Sequence, residues 1–155
     1  MRLALFQPDI PQNAGTIIRL CACFNIPLDL IEPCGFIFSD AKLRRAHMDY
    51  EQRAIINRHK SWTDFEIDNT SKMLVLLTTK GSNNLDAFKF SPIDTLIMGS
   101  ESSGVPETIH RKIPNKVRVP IGPSTRSLNV AVCASMVLWV ELLQTENLPS
   151  QSSNN

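Results

Sequence analysis

Apolar residues in this chain gather into short, nearly unbroken runs, and between the runs they recur at every third or fourth position. The runs are "RLALF" (2–6), "PLDLIEP" (27–33), "KMLVLLTT" (72–79), "DTLIMG" (94–99) and "VRVPI" (117–121). Runs without polar alternation have both faces covered, which predicts strands of a parallel sheet. "RAII" (53–56) is a further strand candidate. After the first run, Pro8 and Pro11 exclude a central strand or a helix interior. From Asn13 the period changes: Ile17, Leu20, Cys21 and Phe24 share a helical face, Asn13 stands as the cap, Arg19 lies off the stripe, and the helix ends near Asn25. "SDAKLRRA" (39–46) predicts a short helix capped by Ser39 or Asp40, and Ser61 with Asp64 has capping-box spacing for another. "PETIHRKI" (106–113) puts proline at the favoured first position of a helix, and a last, almost wholly apolar helix starts near Ser127 and continues through Leu143.

Strands alternating with helices predict an α/β fold: a single-domain, mostly parallel sheet with helices on both faces, over residues 1–146, followed by a flexible polar tail at 147–155. The length of 155 residues, 43% hydrophobic and 20% charged, suits one compact core. Ligands of such sheets bind beyond the carboxyl ends of the strands. Three polar loops hold those positions, "TTKGSN" (78–83), "GSESSG" (99–104) and "IGPSTRSLN" (121–129).

A net charge of +1 supplies no global field, so affinity for nucleic acid would need a local cluster. The segment 42–60 offers one, with Lys42, Arg44, Arg45, Arg53, Arg58, His59 and Lys60; a merely solvated basic face is the alternative. Cys21, Cys23, Cys34 and Cys133 show no zinc-ligand spacing with His47, His59 or His110, so no metal site is expected. Neither a signal peptide nor a membrane-length apolar stretch is visible, which makes a cytoplasmic protein the expectation.

"GSESSG" has glycine at both limits, which would let backbone N–H groups approach a ligand, and carries one carboxylate, Glu101. It lacks the Lys-Ser/Thr of a phosphate loop and the central serine of a hydrolase elbow. "TTKG" reads equally as a ligand-facing strand end or a solvated turn. In "STRSLN", Arg126, Ser127 and Asn129 are unexpected at the entrance of an apolar helix unless they hold something, although Ser127 could be an N-cap alone.

The order of "PDIPQNAGTIIRLCA", "FSDAKLRRAHMDY", "LLTTKG", "IMGSESSGVP" and "RVPIGPSTRSLNVAVCASM" resembles the SPOUT class of RNA ribose methyltransferases over residues from about 2 to 145. It is most similar to the small single-domain subfamily that 2′-O-methylates the wobble nucleotide, position 34, of certain transfer RNAs. The resemblance implies an α/β-knot, in which the C-terminal segment threads through a loop as a trefoil knot, and a homodimer whose sites take residues from both subunits. It implies S-adenosyl-L-methionine as cofactor, bound in a bent form, with Leu77, Gly99, Val119 and Ser127 at family cofactor positions and Glu101, Ile121 and Leu128 as neighbours. Arg19 matches the helix-one arginine proposed to activate the hydroxyl or to hold the adjacent phosphate. A guanidinium is too weak a base to favour the first role, so orientation or charge stabilisation is preferred. Asn13, Glu101 and Asn129 complete the expected catalytic set, and Lys42, Arg44 and Arg45 belong to the surface expected to contact the anticodon arm.

This chain departs from the family pattern at Thr16, commonly Asn, at Ala131, commonly Ser or Thr, and at His47, usually Gly. "GSESSG" also replaces "GPETRG" and removes an arginine. The alternatives are an RNA-binding relative with lost or altered catalysis, and an unrelated α/β enzyme using Glu101 with a histidine, although the three loops contain none.

Overall fold

A computed structural model describes residues 1–37, 54–70 and 73–150. Its strands are β1 (Arg2–Phe6), β2 (Leu28–Ile31), β3 (Ile56–His59), β4 (Met73–Leu77), β5 (Asn83–Asn84), β6 (Asp94–Met98) and β7 (Asn115–Arg118). They form one sheet in the order β3-β2-β1-β6-β4-β7-β5, and every pairing is parallel. The described helices are α1 (Pro11–Phe24), α2 (Trp62–Asp68), α3 (Glu107–Lys112) and α4 (Val130–Gln144). The helix expected at 39–46 lies outside the described residues.

The sheet is buried on both faces, which is why its strands carry no polar alternation. In β1, Leu3 and Leu5 join Ile17, Ile18 and Cys21 of α1 and Ala134, Val137 and Leu138 of α4 in one core cluster. Ala4 and Phe6 point the other way, into a smaller cluster with Phe65 of α2 and Ile109 of α3. Helices therefore cover both faces, as expected.

Several boundaries differ from the pattern-based expectation, each for a physical reason. Helix α1 begins at Pro11, not at a cap on Asn13; Ile10 is the N-cap and makes no side-chain cap bond. Proline suits that first position because its missing N–H would have had no partner in the helix. Asn13 thus lies inside the first turn, with its amide available for other contacts. Pro106 is itself the cap of α3. Strand β3 falls at 56–59 instead of 53–56, on polar residues: it pairs only with β2, and an edge position tolerates Asn57 and Arg58. Strand β7 stops at Arg118, short of Pro120, which has no N–H to donate. Helix α4 starts at Val130, capped by Asn129, so Ser127 is not its cap.

Part of the expected basic surface is committed to internal ion pairs. Arg58 Nη2 lies 2.5 Å from Glu32 Oε1. His59 is buried, with Nε2 2.9 Å from Asp29 Oδ1 and Nδ1 3.2 Å from Asp68 Oδ2. Arg2 donates from Nε and Nη2 to the buried Asp29 carboxylate, both at 2.6 Å. Burial pushes the Asp29 carboxyl up, but hydrogen bonds from Arg2 and His59 and their charges outweigh it and hold the group below its ordinary value.

Candidate active site

The loops leaving β4, β6 and β7 converge at the carboxyl ends of the strands around a pocket of about 700 Å³. Its apolar walls include Leu77, Met98, Val117, Val119 and Ile121, and its polar rim includes Thr78, Lys80, Glu101, Arg126, Ser127 and Asn129. An apolar slot with a few polar groups at its mouth suits a mid-sized organic ligand.

The glycines serve closure of the loops. A Cβ on Gly99 would lie 2.6 Å from the carbonyl carbon and 2.7 Å from the Cα of Gly104, and Ser100 and Gly104 exchange backbone hydrogen bonds at 3.1 and 2.9 Å. The "GSESSG" loop is therefore pinched shut at its base, so Gly99 makes room for Gly104. Ser100 and Ser103 hydroxyls, 2.8 Å apart, tie the loop internally.

A chain of hydrogen bonds joins the pocket's rim to the start of α1. The Asn129 carboxamide oxygen accepts from the Ala131 and Val132 N–H groups at 2.9 and 3.2 Å, capping α4. Its Nδ2 donates to Asn13 Oδ1 at 2.9 Å, and Asn13 Nδ2 donates to Glu101 Oε1, also at 2.9 Å. The other Glu101 oxygen accepts the Asp9 N–H at 2.8 Å. Asp9 Oδ2 in turn accepts from the Ser102 hydroxyl at 2.5 Å and the Ser102 N–H at 3.1 Å. These two bonds, the hydroxyl's first, hold the Asp9 carboxyl below its usual range. Glu101 uses one acceptor site on each oxygen here, and a carboxylate has about four in all. It can brace the loops and still accept a bond from a hydroxyl in the pocket.

The expected cofactor residues Leu77, Gly99, Val119, Ile121, Ser127 and Leu128 all line this pocket, together with Asn13, Glu101 and Asn129. Arg19 does not; it lies on the exposed side of α1. Lys42, Arg44 and Arg45 are outside the described residues. The pocket also takes in Ile10, Met98, His110 and Cys133, which pattern reasoning did not single out. Met98 had a usable signal, as the last side chain of an apolar strand. His110 had none, because it comes from α3 and not from a loop; its Nε2 is buried and has no partner among the described residues. Burial pushes the Cys133 thiol up, which keeps it protonated. Among the described residues no group of His, Cys, Asp and Glu is arranged to hold a metal ion, and no helix is long and apolar enough to cross a membrane.

The sequence profile of the SpoU rRNA methylase family matches residues 1–139. The chain belongs to this family. A relative from Beijerinckia indica, a tRNA (cytidine(34)-2′-O)-methyltransferase, is 51% identical over 145 residues, 92% of this chain and 90% of its own length. A protein of the same name from Escherichia coli K12 is 37% identical over 90% of each chain. Among solved structures, one that concerns 2-OH methylation of C/U34 on tRNA superposes with a TM-score of 0.87 at 33% identity, covering 92% of this chain and 94% of that one. An AdoMet-bound rRNA methyltransferase from Sinorhizobium meliloti has a TM-score of 0.81 at 25% identity, over 92% of this chain and 55% of its own. As a SpoU methylase, the chain has its pocket at the carboxyl ends of the sheet, where its loops converge.

Proposed function

We propose that this chain is a transfer RNA methyltransferase that moves a methyl group from S-adenosylmethionine to the ribose 2′-hydroxyl of nucleotide 34, cytidine or uridine. The observation that carries this reading is the 51% identity, over 92% of the chain, to a relative named for that reaction at cytidine 34. Uridine enters from the solved structure concerned with C/U34.

The residues fit the cofactor. The pocket of about 700 Å³ pairs apolar walls with a polar rim, as an adenosyl group joined to an amino acid requires. Leu77, Val119, Ile121 and Leu128 would hold its apolar surface, with backbone groups of Gly99 and Ser127 at its polar edges. When bound, the cofactor supplies a methyl group already activated on a sulfonium, so the protein's task is to position the ribose hydroxyl in line and ease loss of its proton. Glu101, braced by Asp9 and Asn13, presents its remaining acceptor sites at the rim. Asn129 fixes Asn13 and the start of α4 together.

Arg19 orients the substrate or stabilises charge, and because it lies outside the pocket of its own chain it serves a site completed by a second subunit. Support for that homodimer comes from α4, where Val132, Met136, Trp139 and Leu143 lie on one stripe, each between 42% and 50% exposed. Phe24 of α1 extends the stripe against Trp139, with ring centroids 6.4 Å apart. The catalytic unit is residues 1–146, with a trefoil knot near its C-terminus and a polar tail at 147–155; the substrate places its work on the anticodon arm, in the cytoplasm.

The test is transfer of labelled methyl to total transfer RNA, followed by mapping of the modified nucleotide, for wild type and Arg19→Ala. Label in a 2′-O-methylated residue 34 that falls at least tenfold in the variant is expected. Cofactor binding by calorimetry with no transfer to any RNA would replace the reaction with a role in RNA binding.

A further inference from the structure

Beside the pocket, a second groove of about 500 Å³ runs along the end of β7. It shares Thr79, Val119, Ile121 and Arg126 with the pocket, so the two open into one another at the rim. Among the described residues no Asp or Glu lines it, whereas two arginines do, Arg118 and Arg126. Both are exposed, and neither has an ion-pair partner among the described residues. Arg2, Arg58 and Arg111, by contrast, are paired with Asp29, Glu32 and Glu107. Arg118 is also held in place: its Nε donates to Asn84 Oδ1 at 2.7 Å, which fixes the guanidinium plane, while its terminal nitrogens have no hydrogen-bond partner among the described residues. A pinned, unpaired guanidinium in a groove without carboxylates is built to receive a planar or tetrahedral oxyanion through two N–H bonds.

We infer that Arg118, oriented by Asn84, and Arg126 bind a backbone phosphate of the RNA next to the nucleotide seated in the pocket. This rests on the reading of the chain as an RNA ribose methyltransferase. Position favours it. The pocket lies over β6, β4 and β7, and Arg118 ends β7 at that same end of the sheet. Strand β3, which carries Arg58 and His59, lies five strand spacings from β7, or about 24 Å at roughly 4.8 Å each. A phosphate adjoining the target ribose therefore meets the β7 rim, and the β3 edge of the same subunit is out of its reach. Phosphate contacts of this kind fix register on the RNA without reading its bases.

The groove's anion could instead be the carboxylate of the cofactor, since Arg126 lines both spaces, and the test separates the two. Binding of an anticodon stem-loop RNA to the full chain is measured from 50 to 300 mM KCl, with cofactor affinity measured in parallel by calorimetry. For Arg118→Gln, affinity for RNA falls about tenfold at low salt, the slope of log K against log salt drops by about 0.7 to 1, and cofactor affinity stays within twofold. Arg118→Lys keeps the slope and loses severalfold in affinity, because the charge remains and the fork does not. Asn84→Ala, which leaves both charges in place, weakens RNA binding with the slope unchanged. Arg111→Gln, on an arginine already paired with Glu107, is the control and alters neither quantity. An unchanged slope for Arg118→Gln, an equal effect of Arg111→Gln, or a loss confined to cofactor affinity would overturn the inference. A wild type that binds RNA with this Arg118-dependent slope yet transfers no methyl would overturn the reaction and uphold the phosphate contact.

Discussion

Asn129 performs two tasks with one carboxamide, and substitution separates them. Its oxygen caps α4 through the Ala131 and Val132 N–H groups, and its nitrogen donates to Asn13 across the rim of the pocket. Asn129→Ala removes both. Loss of an N-cap costs about 1 kcal/mol, and loss of an exposed hydrogen bond adds about 0.5 to 1 kcal/mol, so the sum is near 1.5 to 2 kcal/mol. For a chain of this length that lowers Tm by roughly 3 to 8 °C. Asn129→Asp keeps the cap, and its charge at the positive end of the helix adds about 0.3 to 1 kcal/mol. It cannot donate to Asn13, and turning the Asn13 amide to donate to the new carboxylate would withdraw that amide's nitrogen from Glu101. The aspartate variant is therefore expected to melt within about 2 °C of wild type, while its methyl-transfer rate at saturating RNA and cofactor falls about as far as that of the alanine variant. One lost positioning bond corresponds to roughly a 2- to 10-fold loss in rate. Circular dichroism melts and initial rates on the same preparations decide it. Full activity in Asn129→Asp, or a melting temperature as low as that of Asn129→Ala, would refute the division of labour.

Four further outcomes are expected. Gly99→Ala sets a methyl group against Gly104 backbone that cannot yield, costing about 1 to 3 kcal/mol and weakening cofactor binding at least tenfold by calorimetry. Gly104→Ala, with φ +70° and open space around it, costs about 1 kcal/mol and leaves cofactor affinity within threefold. Glu141 is fully buried on α4, and burial, opposed by the N-terminal ammonium and Thr145 and assisted by Asp94, pushes its carboxyl from 4.5 up to about 7. A carboxyl raised in the folded state loses stability as pH climbs from its unfolded value through its folded one. Glu141→Gln should therefore gain on wild type by about 1 to 3 kcal/mol between pH 5 and pH 8 in denaturant titrations, and a pH-independent difference would contradict the assignment. Trp139→Glu puts a charge in the middle of the exposed α4 stripe and is expected to sediment at 17.4 kDa, where the proposed homodimer predicts twice that mass for wild type.

The parallel sheet and the convergence of three loops were legible because both depend on properties local to each segment. An apolar run marks a strand covered on two faces, and in an open parallel sheet the loop after each strand lies at the same end. Boundaries went astray where one signal masked another. Pro11 excludes a helix interior but not the first position of a helix, which accepts it, so the pattern alone moves the cap onto Asn13. The apolar "RAII" drew β3 three residues too early, because an edge strand carrying Arg58 and His59 does not look like its buried neighbours.

The wiring of the site was not legible for a different reason. Asn13 meets Glu101 88 residues further on and Asn129 116 residues further on, and no spacing rule along the chain reaches that far. The same distance explains why an Arg-Ser-x-Asn cluster stands at the mouth of an apolar helix. The buried face of α4 must begin where the loops of β1, β6 and β7 close over the sheet, and each loop arrives with backbone and side-chain groups that need partners. Asn129 satisfies the helix on one side and Asn13 on the other, Asn13 passes the link to Glu101, and Glu101 anchors Asp9. A polar entrance to an apolar helix is thus the condition for closing the pocket. In the proposed reaction the residues that close it are also the ones offered to a ribose hydroxyl, so a change that leaves the fold intact is expected to cost the reaction its alignment.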